Sequence, residues 1–90
     1  MSQLRNDTEN HRYEMDEQGM TSWADYQMRD GRLYILHVES PPALRGTGAA
    51  GRLMSAMSAD IKAQGLKVTP ICGYAAAWLR RSHDYRDLLN

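Results

Sequence analysis

The sequence has little of what marks several large classes of protein. Its 11 basic and 11 acidic residues give a formal net charge of zero at pH 7, which argues against the positive surface of a domain that binds nucleic-acid duplexes. Its single cysteine cannot form a disulfide within the chain and fits a reducing cytosol. No apolar run approaches membrane-spanning length, and the first residues are too polar for a secretory signal. We therefore expect a cytoplasmic protein without nucleic-acid or membrane partners.

The length predicts one small domain. Ninety residues with 42% hydrophobic and 24% charged content are ordinary for a globular protein. A core of this size is marginal unless it is well packed or shared with a second copy, so both a monomer and a homodimer are expected. Apolar side chains show no periodic spacing in residues 1–9, which predicts a flexible arm. A single domain is then expected over 10–90.

The first half of this domain has the pattern of an antiparallel β-meander. Apolar and polar residues alternate from Tyr13 to Asp16 and again from Met20 to Met28, with Gln18-Gly19 between the two runs. Asp30-Gly31 is a second tight turn. The segment RLYILHVE at 32–39 follows and is the most hydrophobic strand. Because it is apolar on both faces, we predict that it is central.

A proline break, a glycine-rich turn and one amphipathic helix occupy the middle of the chain. Pro41-Pro42 ends the strand ladder. The helix is predicted from an apolar stripe, and Gly65 is its predicted C-terminal cap. The stripe consists of Ala50, Leu53, Met54, Met57 and Ile61.

The last third predicts one more strand and short helices. Residues 66–72 form the expected strand, which should run parallel to the central strand through a right-handed crossover. Tyr74 to Arg81 has the composition of a short helix, and the closing HDYRDLL of a last helical turn. The whole is an α/β arrangement.

The glycine-rich turn is the segment whose chemistry can be interpreted without the rest of the chain. Gly46 and Gly48 remove side chains where a ligand could approach the backbone, and they leave N–H groups at a helix start, where the helix dipole favours an anion. Arg45 adds a forked cationic donor. A tight strand-to-helix connection without a ligand is the alternative. A dinucleotide site is not predicted, because no parallel βαβ unit surrounds GTGAAG, and a Walker loop is excluded by the lack of Gly-Lys-Ser/Thr.

These residues resemble the GNAT acetyltransferase superfamily. Arg45-x-x-Gly48-x-Ala50, between a hydrophobic strand and an amphipathic helix, looks like its pyrophosphate-binding motif. The wider pattern resembles its branch of very small single-domain members. That pattern comprises His37-Val38-Glu39, Pro42, Pro70-x-Cys72-x-Tyr74 and His83-x-x-Tyr85-x-Asp87-Leu88.

The resemblance implies a minimal GNAT-like fold that binds acetyl-CoA in a cleft between two adjacent strands. Full-size members also have an additional amino-terminal strand and two helices that wall the acceptor site, for which this sequence leaves no room. The turn would hold the CoA pyrophosphate, and a backbone N–H between Val38 and Ser40 would polarise the acetyl carbonyl. The implied cofactor-binding residues are Val38, Glu39, Arg45, Gly46, Thr47, Gly48, Ala49 and Ala50.

Three side chains are candidates for the chemistry of acetyl transfer. His37 is the best-placed titrating group to take a proton from an amine, with Glu39 in reserve. Cys72 could act as nucleophile or base, and small GNAT-like proteins carry a cysteine at the matching place. Tyr74 could protonate the departing CoA thiolate. Each of these residue types is also common in purely structural roles, so packing remains an alternative for all of them.

The expected function is acetyl-CoA-dependent N-acetylation of an amine on an unknown small molecule or protein. A non-catalytic acyl-CoA-binding or regulatory module is the alternative from another class. A third reading is a small interaction domain whose glycine turn binds nothing. No metal site is expected, because His11 and His83 lack partners at ligand spacing.

Overall fold

Five strands form one mixed sheet in the order β1-β2-β3-β4-β5. The computed structural model describes residues 3–90. The first four strands pair antiparallel with their neighbours, and β5 pairs parallel with β4. This is the predicted meander followed by a crossover strand. The strands are β1 (Leu4–Asp7), β2 (Arg12–Glu17), β3 (Met20–Arg29), β4 (Arg32–Glu39) and β5 (Lys67–Pro70).

Both predicted hairpin turns are present. Gln18 and Gly19 have φ of 53° and 73°, and Asp30 and Gly31 have φ of 54° and 77°. Two consecutive residues in the left-handed region give the type I′ turn, whose twist matches that of the flanking strands. Asp and Gly tolerate this region well, whereas Gln18 adopts it under the constraint of the hairpin.

The prediction of a flexible arm over residues 1–9 is wrong at Leu4–Asp7. Leu4–Asp7 forms β1 and pairs with Arg12–Met15 of β2, while Met1 and Ser2 lie outside the described residues. Arg5 donates hydrogen bonds to Glu14 and Asp16 across the ladder. A strand at the edge of a sheet with polar neighbours does not need alternating apolar residues. The sequence pattern therefore did not reveal this strand.

Two α-helices follow the meander, α1 (Ala49–Ala63) and α2 (Gly73–Arg81), and Arg86–Leu89 forms a final 3₁₀ turn. The C-terminal end of α1 confirms the predicted glycine cap. Gly65 has φ of 73°, its N–H donates to Lys62 O at 3.0 Å, and the N–H of Leu66 donates to Ile61 O at 3.2 Å. These two bonds are a Schellman motif, which reverses the chain into β5.

The core lies between one face of the sheet and the two helices. Leu53, Met57 and Ile61 of α1 are fully buried, as the predicted stripe requires, whereas Ala49 rather than Ala50 begins the buried face. Leu79 of α2 and Leu88 of the final turn close the same cluster. The sheet contributes Tyr13, Ala24, Tyr26, Leu33, Ile35 and Val68.

A β-bulge in β4 decides which way its last residues face. Asp25 pairs with His37 and Tyr26 pairs with Ile35, so Leu36 is an extra residue. Beyond it Val38 pairs with the buried Ala24 and lies on the helix face of the sheet. His37 lies on the opposite, open face. The prediction that β4 is a central strand is right, because β4 lies between β3 and β5. Only one of its faces is covered, however, since Leu36 on the other face is 41% exposed.

Candidate active site

β4 and β5 separate after a short parallel ladder. Their pairing ends at Ile35 and Pro70. The carbonyl oxygen of Ile35 then accepts the N–H of Ile71 at 2.8 Å and that of Cys72 at 3.1 Å. From there the chain turns into α2, so Val38 and its neighbours lie next to open space instead of β5. This is the cleft between adjacent strands that the sequence predicts.

A cleft of about 410 Å³ opens where the two strands separate. It lies between the end of β4, the glycine-rich turn, the start of α1 and the first turn of α2. Six of its eleven lining residues are Gly, Ala or Ser, which suits a ligand that approaches the main chain closely. The lining residues are Val38, Glu39, Ser40, Leu44, Arg45, Gly46, Gly48, Ala49, Ala50, Gly51 and Tyr74.

The amino-terminal end of α1 forms one wall of this cleft. Gly48 is the N-cap with φ of 87°, and no side chain caps the helix start. The first intrahelical bond runs from the Arg52 N–H to Gly48 O at 3.0 Å. The N–H groups of Ala49, Ala50 and Gly51 therefore precede the helical ladder. The first turn carries no acidic residue, so these donors and the helix dipole favour an anion.

Seven of the eight predicted cofactor residues line the cleft, and Thr47 is the exception. Its hydroxyl donates to Leu44 O at 2.6 Å, which turns the side chain back into the loop. Arg45 is well placed, with a side chain 61% exposed and only long contacts, at 3.4 Å, to Ser40 O and Glu39 Oε1. Its guanidinium is therefore available to an anion in the cleft.

Of the three predicted catalytic side chains, only Tyr74 lines the cleft. Its hydroxyl oxygen lies 3.8 Å from the position that a Cβ on Gly51 would take, beside the start of α1. Burial raises the pKa of the Tyr74 hydroxyl, while Arg81 acts in the opposite direction. The phenol thus keeps its proton at neutral pH and can act as a donor.

Cys72 and His37 lie outside the cleft lining, at two sides of the strand fork. Cys72 is half-buried and is the N-cap residue of α2. His37 is on the open face of the sheet, where its Nε2 lies 3.7 Å from Glu39 Oε2. Among the described residues, neither a hydrogen bond nor an ion pair joins His37 to Cys72. The bulge at Leu36 separates the imidazole from the helix face.

Sequence reasoning missed two residues that hold this site together. Arg52 donates from Nη1 to Thr47 O at 2.9 Å and binds the carboxylate of Glu17 with two further hydrogen bonds of 2.8 Å. Ser40 is buried and shares a 2.9 Å hydrogen bond with Ser22 of β3, which fixes the end of β4. Nothing local indicates the first contact, because Glu17 and Arg52 are 35 residues apart.

Two further kinds of feature are absent from residues 3–90. They contain no group of three or more His, Cys, Asp or Glu side chains that could hold a metal ion. None of their helices is long and apolar enough to cross a membrane.

In this mixed sheet β4 and β5 separate beside the start of α1, whose N-cap is Gly48. This arrangement defines the class of protein, an acetyltransferase-like α/β fold. The model of the GCN5-related N-acetyl-transferase family matches residues 12–88, and the chain belongs to that family. The fold is also similar to the NMR solution structure of a GCN5-like candidate N-acetyltransferase from Staphylococcus aureus. That similarity has a TM-score of 0.66 at 20% identity and covers 98% of this chain and 89% of the other. No curated protein matches the chain.

Proposed function

We propose that the protein binds acetyl-CoA in the cleft and transfers its acetyl group to an amine. The observation that supports the proposal is the helix start: Ala49, Ala50 and Gly51, whose N–H groups precede the helical ladder, line a cleft beside the exposed Arg45. Such donors suit the pyrophosphate of CoA. Family membership supports the same cofactor, since acetyl transfer is the activity for which the family is named.

The chemistry of acetyl transfer assigns separate tasks to the residues around the fork. An amine nitrogen attacks the thioester carbonyl carbon, the carbon–sulfur bond breaks, and the CoA sulfur leaves as a thiolate. We assign the polarisation of the carbonyl to a backbone N–H between Val38 and Ser40, next to the cleft. We assign protonation of the thiolate to Tyr74, which lines the cleft and carries its hydroxyl proton at neutral pH.

Removal of the amine proton is assigned to the open face of the sheet. The Nε2 atom of His37 lies 3.7 Å from Glu39 Oε2 on this face, and a neutral imidazole nitrogen can accept a proton. Cys72, at the fork itself, is the candidate for an alternative route through a covalent acetyl-cysteine. In that route the Cys72 thiolate displaces the CoA thiolate, and the amine then attacks the new thioester.

One observation favours the rival function, a module that binds acyl-CoA without turnover. Residues 3–90 contain two α-helices, α1 and α2, both packed into the core, and no further pair of the kind that walls the acceptor site in full-size GNAT proteins. The strand β1 was not expected from the sequence, and it extends the sheet beside β2.

Two measurements test these functions. Calorimetric titration with CoA and with acetyl-CoA should show stoichiometric binding, and release of free CoA thiol should be measured with acetyl-CoA and a panel of polyamines, amino acids and lysine peptides. Thiol release that depends on an amine supports the acetyltransferase. Binding without release by any amine supports the module, and absence of binding to the folded protein overturns both.

A further inference from the structure

Arg52 ties three separate parts of the protein together at the helix start. Its guanidinium donates two hydrogen bonds of 2.8 Å to the carboxylate of Glu17, the last residue of β2. The remaining nitrogen, Nη1, donates to Thr47 O at 2.9 Å, inside the glycine-rich turn. Arg52 itself belongs to the first part of α1, where its N–H makes the first intrahelical bond.

The positive charge of Arg52 is paired with a carboxylate of the protein, and the side chain is half exposed at the surface. A bidentate carboxylate pair is the strong form of this interaction. The hydrogen bonds with Glu17 raise the pKa of Arg52 and lower the pKa of Glu17, so both groups stay charged at neutral pH. Arg52 does not line the cleft, in contrast to Arg45, which does.

We propose that Arg52 is a positioning residue, and that the Arg52–Glu17 pair holds the glycine-rich turn in the conformation that binds the cofactor. We call this pair the turn anchor. The proposal rests on the proposed function, because it concerns the cradle for the CoA pyrophosphate. Glycines give this turn its shape but also make it costly to order, with Gly46 and Gly48 both at positive φ. Glu17 of the β2–β3 hairpin holds Arg52, and Arg52 holds Thr47 O. Part of the entropy cost of ordering the turn is therefore met before the ligand binds.

The opposite reading, in which Arg52 attracts the phosphates directly, predicts effects of the opposite sign. Glu17→Gln would then free the cation and remove a carboxylate, so CoA would bind more tightly. If Arg52 positions the turn, Glu17→Gln loosens it and weakens binding. Arg52→Lys separates the same readings, because an ammonium keeps the charge but cannot bridge Glu17 and Thr47 with a rigid fork.

The experiment measures CoA affinity by calorimetry for the native protein, Glu17→Gln, Arg52→Lys, Arg52→Gln and the control Glu14→Gln. Glu14 is the matched control, because it is also a β2 carboxylate paired with an arginine, Arg5, but lies away from the turn. We expect each of the three anchor variants to bind about tenfold more weakly and the control to bind like the native protein. Tighter binding by Glu17→Gln, or native affinity of Arg52→Lys, would overturn the proposal.

A second measurement decides the proposal without any ligand. Amide hydrogen exchange in the free protein should become faster in Glu17→Gln at Thr47 and Arg52, whose N–H groups donate to Leu44 O and Gly48 O in the turn, but not at Leu53 to Ile61 in the middle of α1. Faster exchange confined to the turn supports the anchor, and unchanged or uniformly faster exchange overturns it. If the native protein fails to bind CoA, the proposed function fails, and the exchange rates still decide whether the pair orders the turn.

Discussion

Arg52 Nη1 lies 3.0 Å from the position that a Cβ on Gly48 would occupy. Gly48 is therefore required by its own protein and not only by a ligand, because its φ of 87° and this contact both disfavour a side chain. Gly48→Val, the obvious variant from the sequence alone, would disturb the turn anchor together with the cleft. A clean test of the cleft needs a neighbouring residue whose backbone is ordinary.

Ala50 is that neighbour, since it lines the cleft in the first turn of α1. Ala50→Glu should abolish measurable CoA binding, because it fills the cleft and places a carboxylate where the pyrophosphate would lie. A carboxylate at a helix start is otherwise favourable by about 0.3–1 kcal/mol, so the fold should be kept. Ala59→Glu, on an exposed position of the same helix, is the control and should bind CoA normally. Equal affinity of the two variants would place the ligand elsewhere.

The buried face of α1 predicts a large stability difference between two neighbouring positions. Leu53 is fully buried, whereas Ser55 is exposed. Leu53→Ala should lower the free energy of unfolding by about 2–5 kcal/mol through lost burial and a cavity. Ser55→Ala should change it by less than about 0.5 kcal/mol. Urea unfolding followed by circular dichroism measures both, and a larger cost at Ser55 would contradict the helix orientation.

Tyr13 should make the protein sensitive to alkaline pH. Its pKa is raised, first by burial and then by the hydrogen bond of 2.6 Å that its hydroxyl donates to Asp60. The unfolded tyrosine ionises near pH 10, whereas the folded one resists ionisation. Its contribution to stability is therefore complete below about pH 10 and is lost as the pH rises further.

Tyr13→Phe tests this assignment. At neutral pH it should cost about 1 kcal/mol for the lost hydrogen bond, since Gln64 still donates to Asp60 at 2.8 Å. Above pH 10 the stability of this variant should fall less steeply than that of the native protein. Parallel curves for the two proteins between pH 8 and pH 11, measured by urea unfolding, would show that Tyr13 is not the responsible group.

Cys72 should react with iodoacetamide in the folded protein, and CoA should slow the reaction. The thiol is half-buried at the strand fork, next to the residues that line the cleft, so a bound ligand limits access to it. His37→Ala should leave the rate unchanged, because the nearest charged partner of His37 is Glu39. Mass spectrometry follows the alkylation. Reaction only after denaturation would remove Cys72 from the site.

Local signals in the sequence were sufficient for most of the fold. Asp30-Gly31 and Gly19 favour left-handed turns by their residue types, and the apolar stripe that contains Leu53 and Met57 is stable only when it is buried against another element. The glycine-rich turn before that helix predicts an anion site, because a helix start has unpaired N–H groups wherever it occurs, and this site stays a prediction. These features depend on residues close in sequence, which is why they were predictable.

Only the tertiary structure decided how the candidate site is oriented and supported. The bulge at Leu36 places His37 on the open face, and a slip of one residue reverses the face without changing the hydrophobic pattern that precedes it. The strand Leu4–Asp7 forms because β2 offers it an edge. The sequence around Arg52 predicts only a solvent-facing helix residue. Its contact with Glu17 forms only because the β2–β3 hairpin lies beside the turn in the folded protein. Long-range pairings of this kind are set by the packing of the whole sheet, and no short stretch of sequence contains them.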